Sequence, residues 1–519
     1  DLSRGKTSQV PHPRALIPYD MIPDGILKGS LLRLADSVLE HGLGDANPHR
    51  AALDLLLARA PRVGGDRATG KPSGGLDRAG GAHPSADLKR PEENTLEAAR
   101  RLALSVDRTV LPIQGPPGAG KTYTGARMIV RALAAGKRVG VTATSHKVIS
   151  NLLNKVCEAA AEEGVEVRGI QKAKESQWCG ASQVEATAKP ADVAAALASG
   201  EKQLAAGTAW LFAREDMVGA VDLLFVDEAG QYSLANALAV APAAGSLVLL
   251  GDPRQLEQPQ QGVHPEGADV SALDHLLRGE ATMPGDRGLF LAHTYRLHPE
   301  ICAFTSEIFY RGRLESEPGL ERQVVVRKTT GRNGSDAGGA EEGADGAGHG
   351  ARGASGPILS GSGLRFVPVE HTGNQSESPE EAEVVARLVT EALDDGSWID
   401  QHGVEEPLTL DDILVVAPYN AQVKAIAERL PDGARVGTVD RFQGQEAPIV
   451  VYAMATSSPE DAPRGMQFLY SPNRLNVATS RARCLAVVVA SPELFAPECR
   501  TPGQMRLANA FCRLREVAR

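Results

Sequence analysis

Apolar residues in this chain occur in short unbroken runs, separated by longer stretches in which they return at every third or fourth position. That is the pattern of strands covered on both faces by helices. Strands are predicted at Val110–Gln114, Arg138–Ala143, Thr208–Phe212, Val221–Val226 and Ser246–Leu250, and again at Leu364–Val369, Ile413–Ala417, Ile449–Ala453 and Leu485–Ala490. Helices are predicted at Pro91–Leu104, Thr122–Gly136, Val148–Val156, Ser378–Leu393 and Ala421–Leu430. Strand and helix in alternation give parallel sheets joined by right-handed crossovers, so the fold class is α/β, with two such sheets flanked by helices.

Polar stretches divide the pattern. Residues 1–63 hold helical repeats and read as a small helical accessory piece, and residues 64–90, rich in Gly, Pro, Ser and Asp, read as a flexible linker. A first domain is expected over 91–287, with an insertion at about 157–206 carried on the sheet rather than forming part of it. A second domain is expected over 288–519, interrupted at about 329–363 by a Gly/Ala/Ser/Asp tract too poor in apolar surface to order itself.

Composition narrows the choices. A chain of 519 residues is too long for one core and suggests about three domain-sized units. A formal charge of −10 argues against wholesale coating of nucleic acid, although a local basic groove can coexist with an acidic total. Aromatic residues make up only 4 %, so a base-stacking surface has few side chains to draw on. The six cysteines are scattered without a C-x-x-C pair and read as reduced thiols of a cytoplasmic protein. No run reaches the ~18 apolar residues that span a membrane, so no membrane partner is expected.

The chemistry gathers around Gly115-Pro116-Pro117-Gly118-Ala119-Gly120-Lys121-Thr122, which fits the phosphate-loop pattern G-x-x-x-x-G-K-[ST] between a strand and a helix. Glycines let backbone N–H groups close around phosphate oxygens, and the helix adds its positive end. Lys121 would lie along the β- and γ-phosphates, and the Thr122 hydroxyl would hold Mg²⁺. The strand ending in Asp227-Glu228 supplies one carboxylate for the metal and one to polarise the attacking water. Gln255, after the next strand, can reach toward the γ-phosphate, and an arginine from either of two later segments, Thr294–Pro299 and Asn476–Arg483, can neutralise charge that develops there.

These segments, with Thr294–Pro299, Gly437–Glu446 and Asn476–Arg483, stand in the order seen in the superfamily 1 helicases and look most like the subgroup that includes the nonsense-mediated-decay helicase. The Ser145-His146-Lys147 and Gly207–Ala213 segments also resemble the helicase half of bacterial RecB-like putative nuclease–helicase fusions. The resemblance implies two RecA-like P-loop domains with ATP and Mg²⁺ in the cleft between them. It places Lys121, Thr122, Asp227, Glu228, Gln255, Arg296 and Arg481 around the triphosphate, Tyr295 on adenine and Glu446 near the ribose.

It further implies a single strand of nucleic acid, DNA expected over RNA, at Ser145, Thr208, Pro418, Tyr419 and Thr438, with travel 5′→3′. A nuclease domain or subunit upstream is the implied partner, since Pro84–Lys89 lacks the strand pair a nuclease motif needs. One departure concerns the base: where the family carries an adenine-reading glutamine, this chain has Asn94, Glu97 and Ala98. The alternatives are an ATP-gated clamp that holds nucleic acid for a nuclease without unwinding, and a P-loop ATPase with a protein substrate.

Overall fold

The computed structural model describes residues 24–64, 87–257, 267–327, 358–442 and 444–519. Eight strands form the first sheet: β1 (Val110–Gln114), β2 (Val139–Thr142), β3 (Gly169–Lys172), β4 (Val184–Thr187), β5 (Leu204–Ala206), β6 (Val221–Val226), β7 (Ala244–Gly251) and β8 (Leu289–Phe290). Their order is β4-β3-β5-β2-β6-β7-β1-β8, and every pairing is parallel. The phosphate-loop strand and the Asp-Glu strand are thus separated by one strand, β7, and all three end on the same edge.

The chain continues through a short parallel pair, β9 (His293–Thr294) and β10 (Glu315–Ser316), into β11 (Val324–Arg327), β12 (Gly363–Pro368), β13 (Gly396–Ile399), β14 (Glu405–Pro407), β15 (Ile413–Ala417), β16 (Arg435–Thr438), β17 (Ala447–Ala453) and β18 (Ala482–Ala490). Five of these form a second all-parallel sheet in the order β12-β18-β17-β15-β16, and β11, β13 and β14 form a small antiparallel one. Two parallel sheets, each clad with helices, are the α/β architecture that the hydrophobic pattern predicts. Most of the linker expected at 64–90, and most of the disordered tract expected at 329–363, lies outside the described residues.

Four expectations need correction. The segment expected as an insertion carried on the sheet is part of it: β3 and β4 extend its edge, and β3 pairs with β5. Polar residues hid these strands: in β3 buried Gln171 is satisfied by Ser150 and the Cys179 amide, and β4, with Glu185, is the edge. The strand expected at Thr208–Phe212 is a single helical turn, Ala209–Phe212, that follows β5 after Gly207. The first sheet also runs past residue 287, since β8 pairs with β1. Finally, the N-terminal helices Gly25–His41 and Arg50–Leu56 are not a separate piece. Ser30 and Arg33 donate to the Ala239 and Ala213 carbonyls, and buried Asp54 accepts from Thr109 at 2.9 Å and pairs with Arg62 at 2.6 Å.

One apolar cluster runs from the first sheet through the helix Pro299–Tyr310 into the second sheet, so the halves share a continuous core. At the ligand edge of the first sheet the backbones touch. A Cβ on Gly230 would sit 2.5 Å from the Asp252 carbonyl oxygen, and one on Gly251 would sit 2.5 Å from the Gly230 nitrogen. This approach brings the turns after β6 and β7 together. Because the obstacle is backbone, no rotamer change relieves it, and Gly230→Ala is expected to lower the unfolding free energy by about 2–3 kcal/mol. Urea denaturation measures this, and an unchanged midpoint would show that the two turns can part without cost.

Candidate functional site

The carboxyl edge of β1 opens into a cavity of about 340 Å³ between the two halves of the chain. Its floor is the loop Pro117–Thr122 with Glu228 and Gln255, and its other wall is Tyr295, Arg296, Glu446, Ser480 and Arg481 from the second half. The loop works because of its glycines. Gly118 and Gly120 hold φ near +75°, at +73° and +76°, and Lys121 folds over Gly115 so closely that a Cβ there would meet its side chain at 2.2 Å. Lys121 Nζ donates to the Gly115 carbonyl at 2.7 Å.

The second half grips this loop directly. Thr294 Oγ1 donates to the Pro117 carbonyl at 2.9 Å, and the Tyr295 amide donates to the Gly118 carbonyl at 3.0 Å. A Cβ on Gly118 would stand 2.5 Å from Arg296 Cβ, so glycine is needed for the contact as well as for the turn.

Asp227 is buried next to Glu228, outside the cavity lining, and its Oδ1 accepts from the Glu228 amide at 2.9 Å. Burial, reinforced by the Glu228 charge and opposed by Lys121, pushes its carboxyl up to about 7. A carboxyl raised in the native state costs stability when it ionises. That cost grows from the ordinary aspartate pKa of about 4 and is complete above about pH 7. Glu228 occupies the left-handed region at φ 54°, a strained position for a non-glycine residue beside a reactive cavity.

Asp252 ties the turn after β7 to both halves. It accepts from Gln114 at 3.3 Å, from Gln255 at 3.1 Å and from the Tyr310 hydroxyl at 2.6 Å. Asn476, on the helix Pro472–Thr479, donates to the Arg254 carbonyl at 2.7 Å and to the Tyr310 oxygen at 3.1 Å. Gln255 therefore has its amide held while it lines the cavity. Glu446 does not stand free near a sugar position: it accepts from Arg296 at 2.6 Å and pairs with Arg483 at 3.2 Å.

Arg481 is 4 % exposed. Its guanidinium donates to the carbonyls of Phe442, Gln445 and Val439, its Nε has no partner, and no carboxylate among the described residues lies within 4 Å. Burial first, then the charge of Arg296, lowers its pKa to about 9. This is a desolvated cation with no direct carboxylate partner, on the wall of a cavity whose floor is the glycine-rich loop.

The residues expected to meet a strand are less uniform. Ser145 is exposed and caps the helix His146–Glu163, accepting from the Val148 amide. Thr208 and Thr438 are half-buried at the ends of β5 and β16. All five residues lie at carboxyl ends of parallel strands, but Pro418 and Tyr419 are buried, and the Tyr419 ring packs 5.4 Å from Phe468. Asn94 and Glu97, which stand where the family reads adenine, are engaged with each other in a capping box at the start of the helix Thr95–Ser105. Tyr123, unremarked in the sequence, lines the cavity mouth beside Tyr295 and is stacked by Arg127 at 3.4 Å. An aromatic directly after the Lys-Thr of a phosphate loop was the available signal.

Comparison with known proteins agrees with this geometry. Residues 93–280 match one family model described as an AAA domain, and residues 269–493 match another with the same description. The chain is 25 % identical over 460 residues to the regulator of nonsense transcripts 1 homolog of Drosophila melanogaster, covering 79 % of this chain and 35 % of that protein. It is 25 % identical over 437 residues to the DNA replication ATP-dependent helicase/nuclease DNA2 of Bos taurus, covering 76 % and 36 %. The arterivirus nonstructural protein 10 (helicase), solved with DNA, aligns over 77 % of this chain and 63 % of its own at 14 % identity, with a TM-score of 0.39. The chain spans about a third of the length of the curated relatives it matches. With the phosphate loop, the Asp-Glu strand end and the two arginine segments in order across both AAA-domain matches, the chain is similar to the superfamily 1 helicases of the nonsense-mediated-decay-helicase subgroup.

Proposed function

We propose that this chain binds ATP with Mg²⁺ in the cleft between its two sheets and couples hydrolysis to 5′→3′ movement along a single strand of nucleic acid, DNA rather than RNA. The observation that carries the reading is Arg481. A buried guanidinium with no direct carboxylate partner is costly unless an anion joins it, and the facing loop carries the glycine-rich phosphate-loop pattern.

In this reading Lys121 turns from the Gly115 carbonyl to the β- and γ-phosphates. Glu228 orients and deprotonates the attacking water, and Gln255, steadied by Asp252, bears on the γ-phosphate. Arg296 and Arg481 stabilise charge on the transferring group, and Tyr295 with Tyr123 takes the base between two rings. Because the arginines come from the second half, the triphosphate draws the halves together, and hydrolysis releases them. The strand would lie along the carboxyl edge where Ser145, Thr208 and Thr438 stand, with Pro418 and Tyr419 offering backbone.

The residues fit a metal that arrives with its nucleotide. No group of three or more His, Cys, Asp or Glu among the described residues could hold one alone, and Mg²⁺ is ordinarily bound by one or two protein oxygens plus substrate phosphates. Thr122 and Asp227 would hold it, where it neutralises charge on the β- and γ-phosphates.

Steady-state ATP hydrolysis tests the reading. Turnover is expected to rise on adding single-stranded oligonucleotides, DNA more than RNA, and Glu228→Gln to lower it by roughly 10²-fold or more. Turnover indifferent to both polymers would contradict the proposal, and ATP-dependent strand binding without turnover would point to a clamp.

The raised pKa of Asp227 gives a second expectation. Proton and metal compete for the same oxygens, so at limiting Mg²⁺ turnover should climb as pH rises through about 7. Adding Mg²⁺ should move that limb to lower pH, whereas a limb that ignores Mg²⁺ concentration would exclude Asp227 as its source.

A further inference from the structure

Beside the strand positions Tyr419 and Thr438, the carboxyl edge of the second sheet carries side chains that the motif reading leaves unassigned. Tyr419 follows β15 and Thr438 ends β16, and the short helix Gly465–Leu469 is tied to them through Phe468, whose ring packs against Tyr419. Two guanidinium groups cover Phe468. That of Arg464 lies 3.8 Å from the ring centre and that of Arg474 lies 4.3 Å from it.

Their surroundings differ. Arg474 is mostly buried and pairs with Asp440 at 3.2 Å, whereas Arg464 is exposed and has no carboxylate within 4 Å among the described residues. An arginine on a surface ordinarily keeps its head in water and its rotamers free. Here the guanidinium carbon of an exposed residue lies 3.8 Å from an aromatic ring centre, so the cation is backed by a ring on one side. A base can stack on a guanidinium plane while its phosphate meets the edge, which combines the two interactions that hold single strands without sequence preference. In a chain with so few aromatic residues, an arginine backed by a phenylalanine supplies a stacking face that buried Tyr419 does not.

We propose that Arg464, braced by Phe468 and Arg474, is a base-stacking platform for single-stranded nucleic acid at the edge of the second sheet. The proposal rests on the nucleic-acid reading given above and names a contact beyond the motif residues.

Equilibrium binding of a labelled oligothymidylate, followed by fluorescence anisotropy at two salt concentrations, tests it in the full chain, with the thermal unfolding midpoint as a check on folding. Arg464→Ala is expected to weaken binding roughly tenfold. It should also lower the salt slope by about one. Arg464→Lys should retain the slope without recovering the affinity, because it keeps the charge and loses the plane. An abasic oligomer of the same length should be nearly insensitive to Arg464→Lys.

Binding by Arg464→Ala that equals the unaltered chain would overturn the platform. So would losses of the same size on abasic and ordinary strands for both variants, which mark a phosphate contact alone. If the unaltered chain binds no oligonucleotide with or without nucleotide, the nucleic-acid reading itself falls, and the platform falls with it.

Discussion

The interaction on which this structure turns is the one Arg481 lacks. Its guanidinium is withdrawn from water and bonded to three backbone carbonyls, with a second arginine nearby, no carboxylate among the described residues within 4 Å, and the charges of Asp440 and Glu228 acting only from farther off. Asp227 is in the mirror condition, a buried carboxylate next to another carboxylate. Each group is unfavourable alone, and salt-bridging the two would discharge the site. In the proposed reading a triphosphate and its metal would satisfy both groups at once.

That arrangement requires that the second half be registered against the loop, and the means are local. Thr294 and Tyr295 bond the loop's backbone, Gly118 admits Arg296, and Asp252 gathers Gln255, Gln114 and Tyr310 around one carboxylate. Asn476 then links that carboxylate's partners to the helix bearing the second arginine segment. A change at the γ-phosphate position can thus reach the second sheet through Gln255, Asp252, Tyr310 and Asn476, each a direct contact. In the proposed reading this chain of contacts would link nucleotide state to the second sheet.

Much of this was legible in the residues. Strands buried on both faces announce themselves as unbroken apolar runs, so β1, β6, β15 and the core of β17 were readable almost to the residue. Elements at or next to the sheet's edges were not: β3 and β4 carry Gln171, Lys172 and Glu185, and β8 has only two residues. The turn at Ala209–Phe212 deceived because a short apolar run does not distinguish strand from helix. Within the site, most of the motif side chains line one cavity, with Asp227 outside that lining, but their pairings are tertiary facts. Nothing in the spacing says that Glu446 bridges Arg296 and Arg483, that Asn94 and Glu97 cap a helix, or that Tyr419 is covered by Phe468.

The central claim, that Arg481 is kept buried and unpaired for the terminal phosphate of a nucleotide, is tested most directly by nucleotide affinity. Calorimetric titration would compare a non-hydrolysable ATP analogue with ADP, both with Mg²⁺, in the unaltered chain and in Arg481→Met. The account predicts that the substitution weakens the triphosphate analogue by roughly 10- to 100-fold, the worth of a charged hydrogen bond, and ADP far less. Equal losses for both nucleotides, or undiminished binding of the triphosphate analogue, would contradict it.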